Sequence, residues 1–291
     1  MNLQGLRYFK RAAELNSISK TAAEYHVVQS AVSTRIKDIE TELGVKLFDR
    51  TGGSITLNEK GWIVYNYASQ ILELVKDSVQ ELAEANGKSS RPLTIASETV
   101  PLLLPHLIKD FQKTYPEVKL KVIQYRKDFE MQDMECDILI TFSGNPVQEE
   151  TAVTVYEEAI LPAVAKNHPL AGKKIVSIDE LNQQSFITRS EQSELQMLMC
   201  EQLPPKLLHP RVSVTCDYPP IINDLLSKGT DVAFLPKLTW MYYDNPDIVL
   251  LEMEGIQLKR YINLMWRKGA YVSAPMRLFL DHARVFFSHL K

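Results

Sequence analysis

The sequence predicts an α/β chain in three parts: an N-terminal winged helix-turn-helix, a long linker helix and a C-terminal domain of two α/β lobes. Three observations predict it. Residues 1–61 carry three helical patterns followed by a hairpin pattern. From Asn58 to Gly87 there is no proline, and Gly61 is the one glycine before the end. From Pro92 onward, short apolar runs alternate with helical patterns.

The chain has 291 residues and a formal charge of -3, with 45% apolar and 24% charged residues. That is enough chain for two or three domains with real cores. No run approaches about 18 unbroken apolar residues, so no membrane span is expected. The opening MNLQGLRYFKRAAELN spreads charges through an amphipathic pattern and lacks the apolar stretch of an export signal, which points to the cytoplasm. Cys136, Cys200 and Cys216 are too few and too scattered for a disulfide framework or a metal knuckle. Neither a metal nor a cofactor is expected. Residues 1–60 hold nine Lys/Arg against seven Asp/Glu, a slight positive excess on an otherwise acidic chain.

Leu3, Leu6, Phe9 and Ala13, with Ala12 beside them, fall at helical spacing, so residues 3–15 read as a first helix. Ser19 is a good N-cap for a short second helix over Lys20–Tyr25, whose Ala22 and Ala23 permit close helix approach. After a turn at His26–Val28, a third helix spans Gln29–Leu43 and stops at Gly44. On this helix Val32, Ile36, Ile39 and Leu43 form the stripe expected to be buried. Gln29, Ser33 and Lys37 make a second line, with Ser30, Thr34 and Arg35 alongside. That face is short, polar and free of carboxylates at its N-terminal end. A helix entering a major groove needs this, because its first turns approach base edges that Gln, Ser and Thr can bond. Asp38, Glu40 and Glu42 come only further along. In KLFDRTGGSITL, alternating residues flank a Thr51-Gly52-Gly53 turn, which reads as the hairpin wing. Arg50 at its base would reach a phosphate.

Residues 3–61 resemble the N-terminal domain of LysR-type transcriptional regulators. The resemblance rests on Leu6 and Phe9; Ser17-Ile18-Ser19 with Ala22-Ala23; Gln29, Ala31-Val32-Ser33 and Ile36; Leu43-Gly44, Leu47-Phe48 and Arg50; and Thr56-Leu57 with Gly61. It implies a DNA-reading role for Gln29, Ser30, Ser33, Thr34, Arg35, Lys37 and Arg50. Two positions depart from the pattern. Tyr25 stands where the family usually has Leu, and Val28 where it usually has Ser or Thr. Without that hydroxyl the third helix loses an N-cap worth about 0.5–2 kcal/mol.

Asn58 caps and Gly87 stops the next helix, about 29 residues and roughly 43 Å long. Tyr65, Ala68, Leu72, Val75, Val79 and Leu82 recur at coiled-coil spacing, and Val64, Tyr67, Ile71 and Leu74 widen the apolar face. The pattern predicts a dimer seam, which would set two reading helices on the half-sites of an interrupted dyad. Gly87–Pro92 (GKSSRP) then reads as a domain boundary.

In the C-terminal part LTIAS, VKLKVIQY and CDILITF read as strands around a helix over PLLLPHLIKDFQKTYP. A second series follows: AILPAVA, FITRS, a helix at Glu191–Leu203, VSVTC, a helix at Pro219–Lys228, and VAFLP. YINLMWRK and a helix at Ala274–Leu290 return to the first lobe. The alternation predicts a largely parallel sheet. Pro116, Asp137-Ile138-Leu139-Ile140, His168-Pro169-Leu170-Ala171 and Gly229 with Val232-Ala233-Phe234-Leu235-Pro236 extend the resemblance to the LysR effector-binding domain, similar in fold to periplasmic binding proteins. The expected division is 1–61 for DNA binding, 58–87 for linkage and dimerisation, and 92–291 for an effector. Lobe I would cover about 92–160 and 263–291, and lobe II about 161–262. Loops after strands are the candidate ligand sites: Ser97 and Thr99 around Glu98, Ser143, and Thr188 with Arg189. Hydroxyls and an arginine suit a carboxylate, so an organic acid is a candidate effector. The short polar stretch Arg126–Cys136 and Asp231, where many relatives have glycine, are further departures.

Other readings are weaker. No Gly-rich phosphate loop, nucleophile elbow or His/Cys metal spacing supports an enzyme. A solute-binding protein would fit two lobes but not the DNA-reading head. A redox sensor using Cys200 and Cys216 would need thiolates, and Glu201 and Asp217 beside them disfavour that. The reading is therefore a LysR-type DNA-binding regulator sensing a small molecule, a homodimer with tetramers implied by the resemblance, and without a membrane partner.

Overall fold

The computed structural model describes residues 1–51, 54–87, 91–97, 99–124, 136–203, 208–240 and 245–290. Gly52–Gly53, Lys88–Ser90, Glu98 and the stretch 126–135 lie outside the described residues. Two compact units are present: residues 1–91 with 269–274, and the remainder.

The first unit begins with α1 (Leu3–Leu15), α2 (Ile18–Glu24) and α3 (Gln29–Leu43). Asn2 caps α1, its Oδ1 accepting from Gly5 N at 2.8 Å. The α2 cap is Ser17 rather than the expected Ser19: Ser17 Oγ accepts from Lys20 N at 3.2 Å. Starting the helix there brings Ile18 against the core. Val28 does stand at the α3 cap without any side-chain hydrogen bond, and Gly44 closes the helix at φ 69°. Val32, Ile36 and Ile39 are buried as the stripe requires, but Leu43 is 42% exposed. The chain leaves the helix axis at Gly44, and Leu47 joins the core in its place. Glu40 is buried as well, because its carboxylate bonds the chain beyond the helix.

The hairpin follows as β1 (Phe48–Thr51) and β2 (Ser54–Leu57), with Arg50 paired to Ile55. Next comes α4 (Glu59–Ala85), 27 residues capped by Asn58. Gly61 is needed here: a Cβ would sit 2.1 Å from the Leu47 carbonyl oxygen. The predicted seam along α4 is split. Tyr65, Ala68 and Leu72 are buried in the core of their own unit, while Val79 and Leu82 are exposed. Helical periodicity alone does not distinguish a face covered by the same chain from one left open.

The second unit contains β3 (Leu93–Ser97), α5 (Leu104–Thr114), β4 (Leu120–Gln124), β5 (Ile138–Ser143), β6 (Gln148–Glu149), β7 (Ala152–Ala165), β8 (Ile175–Val176), α6 (Ile178–Asn182) and β9 (Ser185–Thr188). It continues with α7 (Glu194–Gln202), β10 (Arg211–Thr215), α8 (Pro219–Lys228), β11 (Ala233–Pro236), β12 (Ile248–Leu250), β13 (Glu252–Met253), β14 (Leu258–Met265) and α9 (Ala274–Ser288). The main sheet runs β11-β7-β14-β5-β3-β4. Among the described residues only β3 with β4 and β3 with β5 are parallel in it. The expected largely parallel sheet is thus corrected to a mixed one. Its cause is the pair of long strands β7 and β14, which run antiparallel to each other and carry the sheet from one lobe into the other. In the second lobe β9 and β10 pair in parallel. The lobe's core gathers Phe186, Leu195, Leu226, Leu235 and Trp240.

Candidate functional site

The side chains expected to form sites fall into two sets, one in each unit. On α3, Gln29, Ser30, Thr34, Arg35 and Lys37 are exposed and Ser33 is half-buried, opposite the buried Val32, Ile36 and Ile39. Arg35 lies 3.6 Å from Asp38 one turn on. The helices beside the face are tied together. Arg11 Nη1 and Nη2 join Glu14 and Glu24, each at 2.8 Å, clamping α1 to α2. The Glu24 carboxylate first, then that of Glu14, raises the Arg11 guanidinium above its ordinary value. Val27 N donates to Ala22 O at 3.0 Å, so the turn before α3 is fixed by the backbone.

Glu40 ties the hairpin to α3. Its Oε1 accepts from Leu47 N at 2.9 Å and its Oε2 from Lys46 Nζ at 2.7 Å. Burial pushes the carboxyl up, but the Lys46 ammonium and the Leu47 N–H outweigh it, so the group lies below the usual carboxylate range. Asn58 closes the other side, with Nδ2 donating to Lys46 O at 3.0 Å. The wing carrying Arg50 therefore has a fixed base.

In the second unit the predicted ligand residues fall into three groups. Ser97 Oγ accepts from Thr99 N at 3.3 Å, so these two share one turn at the end of β3. Ser143 is committed elsewhere. Its Oγ donates to Asn145 O at 2.6 Å and accepts from Asn263 Nδ2 at 2.8 Å. Thr188 and Arg189, at the end of β9, border a small open pocket of about 40 Å³ that Phe186, Leu195, Met199 and Phe234 also line. Arg189 is not a free cation. Its Nε lies 3.4 Å from Asp217 Oδ1, and its guanidinium sits 5.3 Å from the Trp240 ring. Burial pushes the Asp217 carboxyl up, yet Ser190 and Arg189 bring it below its ordinary value.

Sequence reasoning missed the residues that join the lobes. Glu158 on β7 and Arg260 on β14 are direct cross-strand partners, and both are buried. Arg260 Nε donates to Glu158 Oε2 at 2.8 Å, and Arg260 Nη2 donates to Thr99 O at 3.3 Å and to Thr239 Oγ1. Glu158 Oε1 accepts from the N–H groups of Leu238 and Thr239 at 2.7 and 2.6 Å. Burial pushes the Arg260 guanidinium down from its ordinary value, and the Glu158 charge opposes that. The network connects the Thr99 turn of one lobe to Thr239, next to Trp240, in the other. Two adjacent charges inside each of two apolar strand runs, Glu157-Glu158 and Lys259-Arg260, were the signal that could have found it. Cys200 is exposed, Cys216 is half-buried, and both are free thiols. Among the described residues no helix is long and apolar enough to cross a membrane.

Comparison with known proteins places these features. Residues 3–62 match the bacterial regulatory helix-turn-helix domain of the lysR family, and residues 86–287 match the LysR substrate binding domain. The transcriptional dual regulator GltC of Bacillus subtilis is 29% identical, covering 100% of this chain and 99% of its own. The RuBisCO operon transcriptional regulator of Allochromatium vinosum is 26% identical over 97% of this chain and 95% of its own. Among solved structures, full-length OxyR from Pseudomonas aeruginosa superposes with a TM-score of 0.75 at 23% identity, covering 98% of this chain and 95% of that one. Full-length CbnR complexed with its target DNA gives 0.63 at 21% identity, over 98% and 99%. At those identities the structures establish the fold alone. The two domain matches together span most of the chain, and the chain belongs to the LysR family of DNA-binding transcriptional regulators.

Proposed function

We propose that this regulator reads an interrupted dyad in double-stranded DNA with α3 and the hairpin, and that a small molecule held by its substrate-binding domain changes how it sits there. The observation that carries the reading is the exposed line Gln29, Ser30, Thr34 and Lys37 on a helix whose opposite stripe is buried. Such a face can enter a major groove. Gln29, Ser30, Ser33 and Thr34 meet base edges in this reading, while Arg35, Lys37 and Arg50 meet phosphates, which position the protein without specifying sequence. Work on DNA also accords with a cytoplasmic protein.

The ligand reading rests on Thr99 and Arg189, which the Arg260–Glu158–Thr239–Trp240 chain links across the lobes. Ser97 and Thr188 stand beside them at strand ends. Among the described residues Trp240 Nε1 and Asn223 Oδ1 are buried without a hydrogen-bond partner, and Asn223 Nδ2 bonds the Trp240 carbonyl at 3.1 Å. Orphaned buried polar atoms are costly and suit a ligand that completes them. An organic acid exchanging with Asp217 at Arg189 fits this chemistry. The ligand must bind the two DNA-bound arrangements with different affinity, or it shifts nothing.

The test is selection of binding sites from a random-sequence duplex library with the full chain. An enriched interrupted dyad is expected. Joint replacement of Gln29, Ser30, Ser33 and Thr34 by alanine should abolish enrichment while the melting temperature holds; unchanged enrichment would sink the assignment of that face. For the ligand, organic acids, amino acids and aromatic compounds are screened by thermal shift, where binding raises the melting temperature by mass action. Silence across all three classes removes the ligand reading.

A further inference from the structure

We infer that Val28 is a specificity-determining residue that reads the C5-methyl of thymine, the base that carries this group in unmodified DNA. The inference rests on the proposed docking of α3 in a major groove. Val28 is 69% exposed, more than any other large apolar side chain described in residues 1–87. It does no packing that its neighbour does not already do: Val27 packs against the core and Val28 faces out. It also forgoes a local benefit. The residue is the α3 N-cap, in extended backbone at φ -71° and ψ 145°, and makes no side-chain hydrogen bond there. Ser, Thr, Asn or Asp at this position would bond an open N–H of the first turn. A valine here thus leaves the helix end without a side-chain cap and exposes apolar surface. An external contact would account for it.

The surroundings name that contact. Val28 adjoins Gln29 and Ser30, both exposed, at the tip of the proposed reading face. Base edges in the major groove offer donors, acceptors and one apolar group, the thymine methyl. A β-branched side chain is already restricted about χ1, so it loses little freedom on making such a contact. The polar neighbours would read hydrogen-bonding atoms while Val28 adds a preference for T·A at one position of each half-site.

The experiment selects sites from the same random-sequence duplex library with the wild-type chain and with Val28→Ser, then replaces each thymine of the wild-type consensus by deoxyuridine. Wild type should show a thymine whose loss of the methyl weakens binding about fourfold per half-site. Val28→Ser should lose that preference and bind thymine and uracil sites alike. The same variant should melt about 4 °C higher, since serine supplies the missing cap, so impaired folding cannot imitate the result. If every uracil site binds wild type as well as its thymine counterpart, or if Val28→Ser keeps the thymine preference, the inference is wrong although the DNA-binding reading stands. If no sequence is enriched by wild type, the DNA reading itself fails.

Discussion

Glu40 joins the hairpin to α3 through one carboxylate, and its protonation sets a pH dependence. The folded group titrates below its ordinary value, whereas in the unfolded chain it titrates at about 4.3. As pH falls, the unfolded state therefore takes up the proton first. The stabilisation is complete above about pH 5 and is lost as pH drops through the folded value. Glu40→Gln should cost about 1–3 kcal/mol at pH 7, because Lys46 and Leu47 N lose a charged acceptor. Thermal unfolding of wild type and variant at pH 7 and at about pH 3.5 checks this; an equal gap at both pH values contradicts it. The sequence made half of this region legible. Periodicity identified Val32, Ile36 and Ile39, and the missing cap at Val28 could be read directly. It assigned Leu43 to the core and missed Glu40, because a helical wheel does not register that Gly44 turns the chain and brings Leu47 N back to position 40. For the same reason the α2 cap expected at Ser19 lies at Ser17, where Ile18 has a core to join.

The long helix α4 serves two surfaces. Its first half supplies Tyr65, Ala68 and Leu72 to the core of the N-terminal unit. Further along, Leu74, Val79 and Leu82 are 54%, 62% and 63% exposed. Tyr67 adds to that open surface. Single exposed apolar residues are ordinary, but a succession of them along one helix is the surface that a second helix covers. The partner proposed for it is the same helix of a second copy. Joint replacement of Leu74, Val79 and Leu82 by glutamate should convert a dimer into a monomer in sedimentation experiments and leave the melting of the N-terminal unit nearly unchanged, since exposed positions carry little of its stability. A dimer that persists would place the interface elsewhere. At this scale the sequence yielded the limits of most helices but missed the short α6, because caps, glycines and prolines are local signals that mark longer helices best. Strand direction was not local. Alternation of strands and helices suggested parallel pairing, and only the partners of β7 and β14 show that half of the main sheet runs the other way.

Those two strands make the substrate-binding domain a single mechanical object. β7 pairs with β6 at Ala152 and Val153 and with β11 from Ile160 to Ala163, so one strand serves both lobes. β14 lies along it and takes up β5 from Tyr261 onward. Glu158 and Arg260 face each other where the sheet passes from one lobe to the other, and their partners are Thr99 on one side and Leu238 and Thr239 on the other. Desolvation of two charges is offset here by mutual attraction and by backbone donors already in place. Such a pair stabilises little against an apolar substitute, yet breaking it is expensive because one charge is left buried alone. Glu158→Met or Arg260→Met should each cost about 3–5 kcal/mol. The double replacement should cost clearly less than the two added together, because neither charge is then stranded. Denaturant unfolding followed through the Trp240 and Trp266 fluorescence measures all three. Strict additivity would mean that the two charges do not depend on each other, and the lobes would then be joined by the strands alone. Coupling would mean that the Thr99 turn and Thr239 are tied through a charge pair whose members depend on each other, the kind of physically contiguous link by which one lobe can bias the other.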